Sequence, residues 1–322
     1  MINSMKIKLI SPTFGGTSGV GRHVKILSEK LIEKGCKVSV VSINNTPYIP
    51  IKNLKNLSWA LFACSKREKA DIIHAHNLPS MIPSKTMKGK KVLTIHGYYS
   101  SQIKLLHGRA LGEIMSFYEK IALHWADRIT CISKDTTDIY RKMGFNVDYI
   151  PNAVDILKIE EICKDVEKKP GRVAYVGRKT KEKGYNVLMK AFKLSPGYEL
   201  ITVYGRPWIE AIKLIASSEL LVVPSLIEGL PTVILEAFAA GTTVIASRIG
   251  GVTELIDDGV NGFLFEAGDY VELSKLIKQV LQNDKLRKSI TDKAKENVKR
   301  QYDWKHTIEK YLRIYEECLG KN

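Results

Sequence analysis

The chain has 322 residues, 44% apolar and 26% charged, which is the composition of an ordinary soluble globular protein long enough for two domains of about 150 residues each. Its net charge of +16 is uneven: residues 1–152 hold 23 Lys and Arg against 10 Asp and Glu, +13, and residues 153–322 hold 27 against 24, +3. No helix-turn-helix, zinc-finger or RNA-binding aromatic string accompanies the basic half, so nucleic acid is excluded in favour of an anionic membrane surface, a lipid-phosphate acceptor, or a solvated lysine-rich face.

In chain order, 6–11 is predicted as a strand, 22–34 as a helix and 37–43 as a strand. Short strands follow at 71–76, 91–96, 128–133 and 147–151, with helices between them. Such alternation implies parallel strands in a doubly wound sheet. A charged, strand-poor stretch from Asp155 to Lys169, ending at Pro170-Gly171, is read as a linker. The pattern then restarts with strands at 172–177, 200–204, 220–223, 243–247 and 262–265. Apolar residues at helical spacing from Trp304 to Leu319 predict a last helix. Pro224, Glu228, Pro231 and Glu236 interrupt the longest apolar stretches, so no segment can span a bilayer as a helix. Met1 to Lys8 carries too short an apolar run for a secretory leader. Five scattered cysteines (Cys36, Cys64, Cys131, Cys163, Cys318) form neither a disulfide framework nor a zinc motif, and a reducing cytoplasm is the expectation.

The most informative stretch is Pro224-Ser-Leu-Ile-Glu228-Gly-Leu-Pro-Thr-Val-Ile-Leu-Glu236-Ala-Phe-Ala-Ala-Gly241. It reads as a buried strand, a turn, and a helix with Pro231 as first residue and Gly241 as its stop. Backbone amides from about Gly229 through Leu230, Pro231 and Thr232 to Val233 would then form an anion site at a helix N-terminus. Carboxylates beside a bound phosphate repel it, so Glu228 and Glu236 make sense if they accept hydrogen bonds from hydroxyls. A phosphate flanked by hydroxyls is a sugar nucleotide.

The whole string, with Gly250-Gly-Val-Thr-Glu-Leu-Ile256 behind it, resembles the signature of glycosyltransferase family 4, the retaining enzymes of GT-B fold. The resemblance implies two Rossmann-like α/β domains facing across a cleft. An N-terminal acceptor domain would span 1–152 and a C-terminal nucleotide-sugar domain 153–322, with helix 304–319 returning to the first. It implies transfer of a sugar from a nucleoside diphosphate to an acceptor hydroxyl, expected to be that of a lipid-linked or envelope glycan. No metal or other cofactor is expected. A sugar-nucleotide epimerase on the same architecture is the alternative.

Residue by residue, Gly177-Arg178-x4-Lys183-Gly184 matches the family's cationic turn, so Arg178 and Lys183 are expected to grip the donor diphosphate. Glu228 would bind sugar hydroxyls and Glu236 the ribose. Gly205-Arg206-Pro207-Trp208 resembles the strand end beside the nucleobase. The loop Gly15-Gly-Thr-Ser-Gly19-Val-Gly21-Arg-His23 also resembles the dinucleotide fingerprint of short-chain dehydrogenases. That fails because Tyr175 of the Tyr175/Lys179 pair falls on a predicted strand, the matching serine is missing, and the second strand ends in Asn44 rather than an acid. Aligned to the family's first loop instead, Gly19, with Gly16 after it, would face the donor. His96 in Leu93-Thr-Ile-His96-Gly97 would contact sugar or phosphate and could stay protonated there. His74 and His76 suggest a metal pair without a third ligand, and are read as structural.

Overall fold

In the computed structural model, residues 4–51, 54–99, 103–104 and 108–320 are described, with only the backbone of Leu111. Residues 1–3, part of the segment read for a leader, lie outside them. The chain divides into two compact units, residues 1–151 with 307–322, and residues 152–306.

The first unit carries a parallel six-stranded sheet. It is built from β1 (Lys6–Ile10), α1 (Gly19–Glu33), β2 (Lys37–Val41), α2 (Lys55–Ala63) and β3 (Lys69–His76). A short 3-10 turn at Leu78–Ser80 leads to α3 (Met81–Thr86), β4 (Lys88–Ile95), α4 (Arg109–Leu123), β5 (Arg128–Cys131), α5 (Lys134–Lys142) and β6 (Val147–Tyr149). The strand order β2-β1-β3-β4-β5-β6 reverses direction of growth between β1 and β3. In open α/β sheets, ligands gather at the carboxyl ends of strands beside such a reversal. The central strands carry near-continuous apolar runs such as Ile72, Ile73 and Ala75, fully buried because helices cover both faces.

The second unit repeats the construction. It contains α6 (Ile156–Cys163), β7 (Lys169–Val176), α7 (Tyr185–Lys193), β8 (Glu199–Val203), α8 (Trp208–Ala216), β9 (Ser218–Val223) and α9 (Thr232–Ala240). After these come β10 (Thr243–Ser247), α10 (Gly250–Thr253), β11 (Phe263–Phe265), α11 (Tyr270–Leu281) and α12 (Asp284–Gln301), before α13 (Trp304–Cys318). Its parallel sheet runs β11-β10-β9-β7-β8, with the reversal between β7 and β9. Val173, Tyr175, Leu220, Val222, Ile245 and Phe265 form one buried cluster across it.

Two expectations need correction. The stretch from Asp155 to Lys169 is no bare linker: Asp155 caps α6 by accepting from Lys158 N at 3.2 Å, and Ile156 and Ile159 are buried. Its charges occupy the exposed side of an amphipathic helix, which made it look strand-poor and loose. The division falls at Pro151/Asn152, one residue from the expected 152/153 boundary, and again at His306/Thr307, near the start of the last helix. There the two passes of the chain bond to each other, Val154 N to Tyr302 O at 2.9 Å and Trp304 N to Val154 O at 3.2 Å. Helix α1 begins at Gly19, three residues before the predicted start, because Ser18 is a true N-cap whose Oγ accepts from Gly21 N at 2.9 Å.

Candidate active site

Strands β7 and β9 pair through Val173↔Leu220 and Ala174↔Leu221, so the turns leaving them must run side by side. The first turn holds Arg178 and Lys183, and the second holds Ser225 and Glu228. Leu226 N donates to Glu182 O at 2.9 Å and stitches the turns together. Gly184 has φ +64°, and a Cβ there would lie 1.7 Å from Pro224 O, so only glycine allows this approach. Beneath the first turn, the Tyr175 hydroxyl donates to Arg178 O at 2.5 Å, which keeps Tyr175 on a strand and in a structural role.

These contacts bring Lys183 and Glu228 together. Lys183 Nζ stands 2.6 Å from Glu228 Oε1, which also accepts from Ser225 Oγ at 2.8 Å. Lys183 is only 27% exposed and Glu228 13%, so this is a half-buried ion pair rather than a loose surface contact. Arg178 reaches outward and pairs with Glu182 at 3.2 Å.

Helix α9 starts at Thr232, one position later than the sequence suggests, and Pro231 is its N-cap with φ −72° and ψ 111°. Its extended ψ leaves its carbonyl accepting from Ile234 N at 3.2 Å while its nitrogen has no proton to give. The donors of the expected anion site therefore reduce to the amides of Gly229, Leu230, Thr232 and Val233. The turn is braced from two sides. Asn152 Nδ2 donates to Leu230 O at 2.8 Å, and a Cβ on Gly251 would lie 1.4 Å from Gly229 O. Gly241 ends the helix in the left-handed region at φ +71°.

Glu236 is 5% exposed, and its Oε1 accepts from Trp208 Nε1 at 2.9 Å. Trp208, the first residue of α8, ties that helix to α9 through the acid assigned to the ribose; the sequence holds the residue but gives no sign of the bond. Gly205 turns the chain at φ +71° with open space where its Cβ would be. Arg206 is exposed and pairs with Glu210 at 3.2 Å.

In the first unit, Gly16 has φ +70° with nothing near a would-be Cβ. Gly21 is the crowded one: its Cβ would lie 2.3 Å from Gly15 O, and Gly15 N donates to Gly21 O at 2.7 Å. Sequence reasoning favoured Gly19 and missed this closure, since four glycines in one loop look alike until their neighbours are placed.

His96 follows β4, half-buried, with its Nε2 3.1 Å from His76 Nδ1 and its backbone N donating to Asn77 Oδ1 at 3.0 Å. Asn77 holds that bond from φ +63° and ψ 162°, outside the left-handed helical region and strained for a residue other than glycine. Burial, with neighbouring His23 and His74 adding to it, pushes the His96 imidazole well below its ordinary range. Desolvation among other imidazoles thus disfavours the charged ring, whereas a diphosphate beside it would favour the charged form. The structural reading fits His74. His74 spends both nitrogens at 2.7 Å, on Tyr315 OH and Thr94 Oγ1, whereas His76 faces His23 and His96.

Two parallel sheets, each with a loop site at its reversal, are the architecture of a GT-B glycosyltransferase. Residues 198–297 match the family described as Glycosyl transferases group 1, and residues 17–157 match Glycosyltransferase Family 4. The chain is similar to the phosphatidyl-myo-inositol mannosyltransferase of Mycolicibacterium smegmatis, 26% identical over 98% of this chain and 95% of that one. Among solved structures it resembles sucrose-phosphate synthase from Thermosynechococcus elongatus, with TM-score 0.84 and 19% identity over 99% of this chain and 100% of that one. Anabaena Alr3699/HepE in complex with UDP and glucose superposes with TM-score 0.72 and 17% identity over 97% and 100%. The chain belongs to the group 1, family 4 glycosyltransferases, and it is a transferase enzyme.

Proposed function

We propose that this enzyme moves a sugar from a nucleoside-diphosphate donor to an acceptor hydroxyl with its anomeric configuration retained, the acceptor being a lipid-linked or envelope glycan. The observation that carries this is the meeting of Lys183, Glu228 and the head of α9, with the buried Glu236 one turn further along. Arg178 and Lys183 supply positive charge and the α9 amides supply donors, which together suit a diphosphate without a metal. Glu228 and Glu236 accept from neutral hydroxyls of the sugar and the ribose. Gly205 and Arg206 flank the base, and Gly16, Gly19 and His96 of the first unit are assigned the donor contacts that the family resemblance implies for them. The complex of Alr3699/HepE with UDP and glucose supports a nucleotide-sugar donor.

The sugar's bond to the diphosphate oxygen breaks, and its bond to the acceptor oxygen forms on the same face. The acceptor's proton passes to the departing diphosphate. Glu228 is poorly placed to be a nucleophile, since one of its oxygens already holds Lys183 and Ser225. Catalysis then rests on positioning and on stabilising the charge that develops on the leaving group.

A lipid-linked acceptor is supported by the +13 charge of residues 1–152 and by apolar side chains left in solvent. Ile114, Phe117 and Ile121 form an exposed stripe on α4, and Leu57, Leu61 and Phe62 are exposed on α2. Basic residues around exposed apolar helix faces suit peripheral attachment to an anionic membrane from the cytoplasmic side. No helix among the described residues is long and apolar enough to cross a membrane. The similarity to a phosphatidyl-myo-inositol mannosyltransferase points the same way. The test is a transfer assay with UDP-, GDP- and ADP-sugars and a lipid-phosphate acceptor, with the product anomer read by NMR. Retained configuration supports the proposal; an inverted product, or interconversion of the free donor alone, contradicts it.

A further inference from the structure

The first unit holds three imidazoles converging from separate elements: His23 on α1, His76 at the end of β3 and His96 after β4. One ring nitrogen of each lies within 4.8 Å of the other two. His76 and His23 are buried. His76 Nδ1 and His96 Nε2 stand 3.1 Å apart, close to the roughly 3.3 Å edge of a tetrahedron of imidazole nitrogens around zinc. His74 stacks beside His76 with ring centroids 4.3 Å apart, yet both its nitrogens are taken, so the set closes at three. Tyr311 OH lies 3.3 Å from His23 Nε2 and can orient that ring, as outer-shell hydroxyls do around ligating histidines.

We propose that His23, His76 and His96 bind one divalent transition-metal ion of the zinc, cobalt or nickel class inside the first unit, with the fourth position left to water. An all-imidazole set favours these ions over magnesium or calcium, which want oxygen ligands. The rings need to close by at most about 1.5 Å, from 4.8 Å to the tetrahedral edge of roughly 3.3 Å, to reach ligating distance. The proposal is independent of the glycosyl-transfer reading. A bound ion would occupy the imidazole of His96, so zinc is expected to antagonise transfer rather than assist it.

The test strips the purified full chain with a chelator, dialyses it against Zn2+ and counts bound metal. Wild type and the exposed-site variant His306→Gln should each keep about one equivalent, and His76→Gln should lose most of it. Co2+ in wild type should give the intense visible absorption of a four-coordinate site. Absence of stoichiometric zinc in wild type, equal retention in His76→Gln, or the weak spectrum of six-coordinate cobalt would each overturn the proposal. The wild-type count and spectrum decide the matter even if His76→Gln does not fold.

Discussion

Lys183 and Glu228 illustrate how one pair can serve two states. Without donor, Glu228 neutralises a half-buried ammonium at 2.6 Å and Ser225 fixes the carboxylate. On the proposed donor reading, a bound diphosphate would draw the same ammonium toward it and free the carboxylate for hydroxyls. Glu228→Gln should therefore bind nucleoside diphosphate more tightly while transfer falls, which calorimetry and a turnover assay would separate. Equal losses in both would mean that Glu228 simply holds the turn. Gly184 and Gly251 are constrained by backbone contact alone. Alanine at either would meet Pro224 O or Gly229 O, and a cost of about 3 kcal/mol is expected from the forced shift. Urea unfolding of Gly251→Ala would measure it.

At the scale of elements, α9 is the piece on which most of the site depends. Its start and stop were legible, because proline and glycine act through backbone geometry that is written in residue type. Also legible were the alternation of strands and helices and the two carboxylates flanking the α9 start. What the string of letters hid were long-range partners. Nothing in it says that Trp208 donates to Glu236, that Asn152 holds Leu230 O, or that His23 joins His76 and His96, since each pair is separated by dozens of residues and brought together by strand order. The charged segment before β7 was misjudged for a related reason: its buried side is only Ile156 and Ile159. Trp208→Phe tests the α8–α9 tie. It removes one hydrogen bond to a buried carboxylate, and about 1–2 kcal/mol of stability should be lost together with donor affinity.

Across the whole molecule, the basic half and its exposed apolar stripes define how the enzyme meets its surroundings. Cosedimentation with anionic vesicles should fall when Ile114 and Phe117 are both changed to Ser, while neutral vesicles bind neither form; unchanged cosedimentation would detach the α4 stripe from membranes. The buried histidines give a second global signature. Unfolded, an imidazole takes up a proton near its ordinary value of about 6.5; folded, burial and the neighbouring His23 hold His74 down to about 3. The unfolded chain thus binds more protons between those values. Stability should fall as pH drops from 6.5 toward 3, by up to about 1.4 kcal/mol per pH unit for each such histidine, and His74→Asn should flatten the slope in urea titrations.

The central claim is that the second unit holds the donor where the cationic turn meets the head of α9. Calorimetric titration of UDP-, GDP- and ADP-sugars into wild type, Lys183→Ala and Glu236→Ala tests it most directly. The account predicts that one of these donors binds wild type and weakens roughly tenfold or more in both variants, with circular dichroism unchanged. Undiminished affinity in two folded variants would contradict it.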